Sequence, residues 1–152
     1  MIAIGVLAAA VAAAIGVGIL VRRTEGRVRT STGSETPAAE GNRAALLTAA
    51  GVLPGRPTVL HFSADWCGPC AAVRRVVGGV VAELADAPAA PLDLEIDIDA
   101  NPALARELNV LSLPTTFVLD ADGRERYRIS GVPKAADLRS SLGPLTVSGT
   151  PE

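Results

Sequence analysis

Two cysteines separated by two residues, Cys67 and Cys70, are the side chains of this 152-residue sequence best suited to chemistry. An apolar run over 59–64 leads into them, and an alanine- and valine-rich pattern follows. A Cys-x-x-Cys at a strand-to-helix junction is typical of a redox site, because the spacing lets the two sulfurs bond without distorting the helix. No other cysteine is present to complete a four-cysteine zinc site, and no metal is expected. The alternative is a buried structural disulfide.

The two cysteines are expected to have different roles. A thiolate, not a thiol, is the nucleophile, so one cysteine must be stabilised in its charged form. If the helix opens at the motif, Cys67 lies at its N-terminus, where the helix dipole and free N–H groups favour a negative sulfur. Cys70 lies further in and is expected to be more buried and less reactive. We therefore predict that Cys67 attacks a substrate disulfide and that Cys70 resolves the mixed disulfide.

The elements that must position this motif follow from hydrophobic spacing. Residues 92–98 alternate between apolar and acidic side chains, which predicts a strand. Val73, Val77 and Val80 recur at helical spacing after the motif. The other predicted elements are helices over 42–50, 103–108 and 134–142, a strand over 58–63, and a hairpin of strands 115–119 and 124–129. This order implies an α/β fold, a sandwich with a mixed central sheet and helices on both faces.

The N-terminal residues 2–21 form an uncharged run of Ala, Val, Ile, Leu and Gly. Twenty helical residues span about 30 Å, the thickness of a bilayer core. A cleaved signal peptide is the alternative, but it would carry basic residues before its apolar core and a cleavage site after it. Here the basic residues follow the run, at Arg22, Arg23, Arg27 and Arg29. The sequence therefore predicts a single transmembrane helix over 1–21, with the soluble domain on the cytoplasmic side of the membrane.

The rest of the chain divides into three predicted segments. Residues 22–41 are rich in Ser, Thr, Gly, Glu and Pro without apolar periodicity, which predicts a flexible linker. The folded domain covers 42–143. Gly143-Pro144 ends the last predicted helix, and 144–152 is predicted to be a disordered tail.

The motif Trp66-Cys67-Gly68-Pro69-Cys70 resembles the active site of the thioredoxin family in all five residues. The resemblance extends over about 42–143. It is carried by Asp97-Ile98-Asp99 with Asn101-Pro102, by the proline loop Val110–Thr115, by Asp122-Gly123 at the hairpin turn, and by Gly131. It implies a thioredoxin-like three-layer sandwich and a thiol–disulfide oxidoreductase. It also implies that no cofactor is needed beyond the redox-active disulfide of Cys67 and Cys70.

The same resemblance implies further site residues. The peptide bond before Pro114 would be cis, and Leu113 would offer its backbone to an extended substrate segment. Trp66 is expected at the rim of the site, and Gly131 is expected to allow close approach of substrate. Gly68 and Pro69 between the cysteines resemble the reducing members of the family rather than the strong oxidants.

Two departures from the family concern proton transfer. The family commonly has a buried Asp in the strand before the motif and a Lys on the neighbouring strand, whereas this sequence has His61 and Glu95. Imidazole changes charge near neutral pH, so His61 is a candidate for proton transfer with Cys70, with Glu95 as its relay partner. The alternative is a buried neutral histidine that only fills space. Arg75 stands where the family often has a proline, and Ser63 replaces a usual aromatic residue. These two departures leave the identity of the substrate undetermined.

Composition narrows the function classes. Net charge is −2 and no basic face with interleaved aromatics is present, so nucleic-acid binding is not expected. The leading prediction is a monomeric, membrane-tethered reductase of protein disulfides, served by an electron donor that the sequence does not identify. One alternative is an extracytoplasmic tethered thioredoxin for cytochrome c or oxidase assembly. Another is a non-catalytic docking or chaperone module with the same fold.

Overall fold

A computed structural model describes residues 6, 11–16, 18, 28–30 and 37–147. Residues 11–16 are helical. The elements that follow are β1 (Val28–Thr30), α1 (Pro37–Ala49), β2 (Thr58–Ser63), α2 (Cys70–Glu83), β3 (Leu92–Asp97), α3 (Pro102–Glu107), β4 (Thr115–Leu119), β5 (Glu125–Ser130) and α4 (Ala135–Thr146).

The five described strands form one sheet in the order β1-β5-β4-β2-β3. Strands β2 and β3 run parallel because α2 carries the chain back between them, and the other neighbours run antiparallel. A tight turn joins β4 to β5, in which one carboxylate oxygen of Asp120 accepts the N–H groups of Asp122 and Arg124. Gly123 completes the turn with a φ of +76°, a backbone conformation that favours glycine. The predicted mixed sheet is confirmed.

Alternation along the strands divides the core between the two faces of the sheet. Leu60, Phe62 and Phe117 are fully buried on the face covered by α1 and α3. Val59 and Val118 are fully buried on the opposite face, against the valine stripe of α2 and against α4. Both faces of the interior strand β2 are therefore out of water, which accounts for its apolar run. The predicted three-layer sandwich is confirmed.

The predicted linker over 22–41 is wrong in two places. Val28–Thr30 is strand β1, which pairs antiparallel with Tyr127–Ile129 of β5. Helix α1 begins at Pro37 rather than at residue 42, and proline is well suited to a first helical turn because its missing N–H needs no partner there. A strand of three residues is too short to show an alternating hydrophobic pattern in the sequence. Strand β1 is held in the sheet by its pairing with β5.

The predicted tail over 144–152 is also wrong at its start. Helix α4 continues through Pro144 to Thr146. Thr146 is 2% exposed, and its carbonyl accepts the N–H of Ala89 at 3.1 Å. These contacts hold the last turn although proline removes one helical hydrogen bond. Residues 148–152 lie outside the described part of the chain.

The predicted anchor over 1–21 falls largely on residues that are not described. Across the residues that the structure does describe, no helix is long and apolar enough to cross a membrane.

Candidate active site

The two cysteines lie between the interior strand β2 and helix α2. Cys67 and Cys70 form a disulfide with an S–S distance of 2.05 Å. Cys67 is partly exposed, whereas Cys70 is 1% exposed, and its sulfur lies 3.8 Å from the carbonyl oxygen of Phe62 in β2. One sulfur therefore faces an incoming molecule, and the other lies beneath it against the sheet.

The sequence places Cys67 at the N-terminus of the helix, and the first helical residue is Cys70, three residues later. Helix α2 starts at Cys70, with Pro69 in the N-cap position, and the N–H of Cys70 donates to the Cys67 carbonyl at 3.3 Å. The family's Gly68-Pro69 forms a turn ahead of the helix. Because the Cys67 sulfur is bonded to Cys70, the first helical residue, it still lies at the positive end of the helix dipole. The physical basis for a stabilised thiolate is kept.

The proline loop approaches the disulfide from the neighbouring strand. The Leu113–Pro114 peptide bond is cis, as predicted. Thr115, the first residue of β4, pairs in register with Phe62, so the loop lies beside the strand end that Cys70 contacts. Gly131, with a φ of +85°, donates its N–H to the Pro114 carbonyl at 2.8 Å. Strands β2, β4 and β5 thus bring the cysteines, Pro114 and Gly131 to one end of the sheet.

Apolar side chains are exposed around this end of the sheet. Trp66 is 71% exposed, and its indole N–H donates to a carboxylate oxygen of Asp99 at 3.2 Å. Leu111 is 85% exposed and Val132 is 36% exposed, next to the proline loop and to Gly131. Such residues suit contact with a protein partner. Leu111 and Val132 could not be recognised from the sequence as exposed, because a loop residue belongs to no periodic pattern.

His61 is buried on strand β2, next to Phe62, whose carbonyl oxygen lies near the Cys70 sulfur. His61 is 2% exposed, and its Nε2 lies 3.1 Å from Oδ1 of Asp93, which is about one third exposed. His61 pairs in parallel register with Glu95, yet its hydrogen bond goes to the residue one step back on the same face of β3. Asp93 therefore connects a buried imidazole to the protein surface.

Glu95, the predicted relay partner of His61, pairs with Arg74, whereas the hydrogen bond of His61 goes to Asp93. Both carboxylate oxygens of Glu95 accept from Arg74, at 2.7–2.9 Å. The Arg74 guanidinium lowers the pKa of Glu95 from its ordinary 4.5 to about 2, with a smaller contribution from the Ser63 hydroxyl. Glu95 is thus ionised throughout the neutral pH range and is poorly suited to relay a proton.

Two partners at this site, Asp93 and Arg74, were missed from the sequence. Asp93 lies two residues before Glu95 in a strand, so both project from the same face. Arg74 lies one helical turn after Cys70, above that face. The alternating pattern of β3 indicated that its acidic residues share a face, but the choice of partner for each needed the packing of α2.

Comparisons with known proteins agree with this geometry. The sequence profile of the family described as Thioredoxin matches residues 50–143. A thioredoxin of Mycolicibacterium smegmatis is 42% identical over 85 residues, which cover 55% of this chain and 74% of that protein. The bifunctional thioredoxin reductase/thioredoxin of Mycobacterium leprae is 40% identical over 86 residues, 55% of this chain and 18% of that protein. The solved structure of a Halobacterium salinarum thioredoxin mutant superposes with a TM-score of 0.53 at 30% identity, over 63% of this chain and 80% of that one.

A mixed sheet between two helical layers, with an asymmetrically exposed Cys-x-x-Cys disulfide at the head of a helix, defines a thiol–disulfide oxidoreductase of thioredoxin-like fold. The chain belongs to the thioredoxin family. Proteins of this family act on the disulfides of other proteins and need no cofactor, because the redox-active disulfide is part of the chain.

Proposed function

We propose that this protein works as a reductase of protein disulfides, with Cys67 as the nucleophile and Cys70 as the resolving residue. The Cys67 thiolate attacks one sulfur of a substrate disulfide, and the other substrate sulfur leaves as a thiolate. The Cys70 thiolate then attacks the Cys67 sulfur, which releases the second substrate thiolate and forms the Cys67–Cys70 disulfide. Two electrons pass to the substrate. The observation that carries this assignment is the difference in exposure, since a substrate sulfur has access to Cys67 but not to Cys70.

A trapping experiment tests the order of attack. Reduced Cys70→Ser protein is mixed with a disulfide-containing protein such as insulin, and adducts are counted on a non-reducing gel. We expect a stable mixed disulfide, because Cys67 attacks and nothing resolves it. Cys67→Ser is the matched control and is expected to yield almost no adduct. Equal trapping by both variants, or no reduction of insulin by the unaltered protein, would refute the assignment.

His61 is proposed to exchange a proton with Cys70 during the second step. His61 is buried in strand β2 and is adjacent to Phe62, whose carbonyl contacts the Cys70 sulfur. Its hydrogen bond to Asp93 offers a route for the proton to solvent. The pH dependence of disulfide reduction tests this role in His61→Ala and in His61→Gln, which retains more of the volume. A changed profile in both variants is expected. A profile identical to that of the unaltered protein would leave His61 as a packing residue.

The electron donor is proposed to be an enzyme of the thioredoxin reductase type. The bifunctional thioredoxin reductase/thioredoxin of Mycobacterium leprae is 40% identical to this chain over 86 residues, which supports a donor of the reductase type. Oxidised protein is offered to a purified mycobacterial thioredoxin reductase, and the thiols released are counted. We expect two thiols per chain. A reductase that reduces its own thioredoxin but leaves this protein oxidised would contradict the proposal.

Residues 1–21 are proposed to anchor the protein in a membrane, with the redox domain on the cytoplasmic side. The support is the uncharged apolar run and the four arginines on its C-terminal flank. In intact cells, Cys67 and Cys70 are the only cysteines of the protein and report its location to a membrane-impermeant maleimide. We expect the protein in the membrane fraction and labelling only after lysis. Labelling without lysis would support the extracytoplasmic alternative, and recovery in the soluble fraction would refute the anchor.

A further inference from the structure

A cavity of about 200 Å³ opens beside the proline loop, on the side away from the disulfide. Two arginines and several hydroxyls line it, among them Arg29, Arg128, Ser112, Thr115 and Ser130. We propose that this cavity binds an acidic side chain of the substrate protein, Asp or Glu, about three residues from the cysteine that reacts with Cys67. The proposal rests on the reduction of protein disulfides proposed above, and it adds a preference among substrates.

The charge of the cavity comes from two arginines placed directly opposite each other. Arg29 of β1 and Arg128 of β5 are partners in the antiparallel register, so their side chains project from the same face of the sheet. Like charges in this arrangement repel, which lowers stability unless an anion lies between them. Among the residues that the structure describes, only one of the two arginines has an anionic partner. Glu125 holds Arg128 through two hydrogen bonds of 2.9 and 3.0 Å, and it also pairs with Arg43.

Arg29 is left as the cation available to a ligand. It is exposed, and within the described part of the chain it makes no ion pair. Ser112 and Ser130 are exposed beside it and have hydroxyls able to donate to a carboxylate. Leu111 also lines the cavity and is 85% exposed, which gives the methylene groups of a Glu or Asp an apolar contact. A guanidinium with flanking hydroxyls is the chemistry that recognises a carboxylate.

The distance to the disulfide sets where in the substrate this side chain would lie. Thr115 and Ser130 are register partners on β4 and β5, and Thr115 is in turn the partner of Phe62 on β2. Neighbouring strands lie about 4.8 Å apart, so Ser130 is roughly 10 Å from the strand end that Cys70 contacts. An extended chain rises about 3.3 Å per residue. About three residues of an extended substrate therefore separate the reacting cysteine from the cavity.

The net charge of the chain and the local charge of the cavity predict opposite preferences for an acidic substrate. With a net charge of −2, the protein as a whole repels an acidic peptide rather than attracting it. A preference for an acidic substrate must therefore come from a local cation. Arg124 provides the matched control, since it lies in the turn at the other end of β5 and is 75% exposed.

Two disulfide-linked peptides that differ only in Glu or Gln three residues from one cysteine test the proposal. We expect kcat/KM to be about threefold higher for the Glu peptide at low ionic strength, the size expected for one exposed ion pair, and to become equal in high salt. Arg29→Gln is expected to lower the ratio to near one, Arg29→Lys to retain part of it, and Arg124→Gln to leave it unchanged.

The possible failures are distinguishable. Equal reduction of the two peptides by the unaltered protein would overturn the acidic preference and leave the reductase function standing. An equal loss of preference in Arg29→Gln and Arg124→Gln would also overturn it, because the effect would then follow net charge and not the cavity. Failure to reduce either peptide would overturn the proposed function together with the preference that rests on it.

Discussion

Replacing Glu95 by glutamine is expected to destabilise the protein at neutral pH and to have little effect in strong acid. Both carboxylate oxygens of Glu95 accept from Arg74, and its pKa is lowered from 4.5 to about 2. Because the pKa is lower in the folded state, the ionised carboxylate contributes stability above about pH 4.5, and this contribution is lost as the pH falls toward 2.

The magnitude follows from that pKa after allowance for solvent. A change from 4.5 to about 2 corresponds to at most roughly 3 kcal/mol. Glu95 is 34% exposed and Arg74 is 50% exposed, however, so solvent screening reduces the expected loss to about 1 kcal/mol.

Urea unfolding of the oxidised protein between pH 2 and pH 8 measures this difference. We expect Glu95→Gln to lower the free energy of unfolding by about 1 kcal/mol at pH 7 and by much less at pH 2. Glu83→Gln removes the same charge from a pair with Arg139 at 2.7 Å, but Glu83 is 52% exposed, so we expect a loss of only a few tenths of a kcal/mol. A difference between Glu95→Gln and the unaltered protein that stays constant from pH 2 to pH 8 would refute the reasoning.

Three further predictions concern a pH profile, two glycines and the ion pair of Arg128. Because Glu95 stays ionised at neutral pH, Glu95→Gln should keep the shape of the pH profile of disulfide reduction between pH 6 and 9; a shifted profile would return Glu95 to the proton relay. Gly79 in α2 is exposed with open space at its Cβ position, so Gly79→Ala should raise the free energy of unfolding by about 0.5–1 kcal/mol. Gly123→Ala should lower the free energy of unfolding, because the backbone there has a positive φ. Urea titration measures both changes. Arg128 pairs with Glu125, whose side chain is only 7% exposed, and the Arg128 guanidinium lies 4.6 Å from the Phe117 ring centroid. Arg128→Ala should therefore lower the free energy of unfolding by about 2 kcal/mol, and a loss below about 0.5 kcal/mol would contradict that account.

The positions of most elements could be predicted because each depends on a local pattern. The alternation of Leu92 to Asp97 and the valine stripe after Cys70 appear as strand and helix with bounds close to those expected. The elements that were missed, β1 and the last turn of α4, lack such a pattern. Each is held by a distant segment, β1 by strand β5 and the end of α4 by the N–H of Ala89.

The features of the candidate site also divide into those determined by local sequence and those decided by distant contacts. The sequence by itself determined the chemistry of the motif, because two cysteines three positions apart at a strand-to-helix junction are brought within bonding distance by local backbone geometry. It also determined that Pro114 follows a cis bond, through the resemblance of its loop to the family. The partners of the buried and charged groups were decided only by the tertiary structure. His61 lies against Asp93, Glu95 against Arg74, and Arg29 opposite Arg128, because strand register and the packing of α2 are set by contacts between residues far apart in the chain.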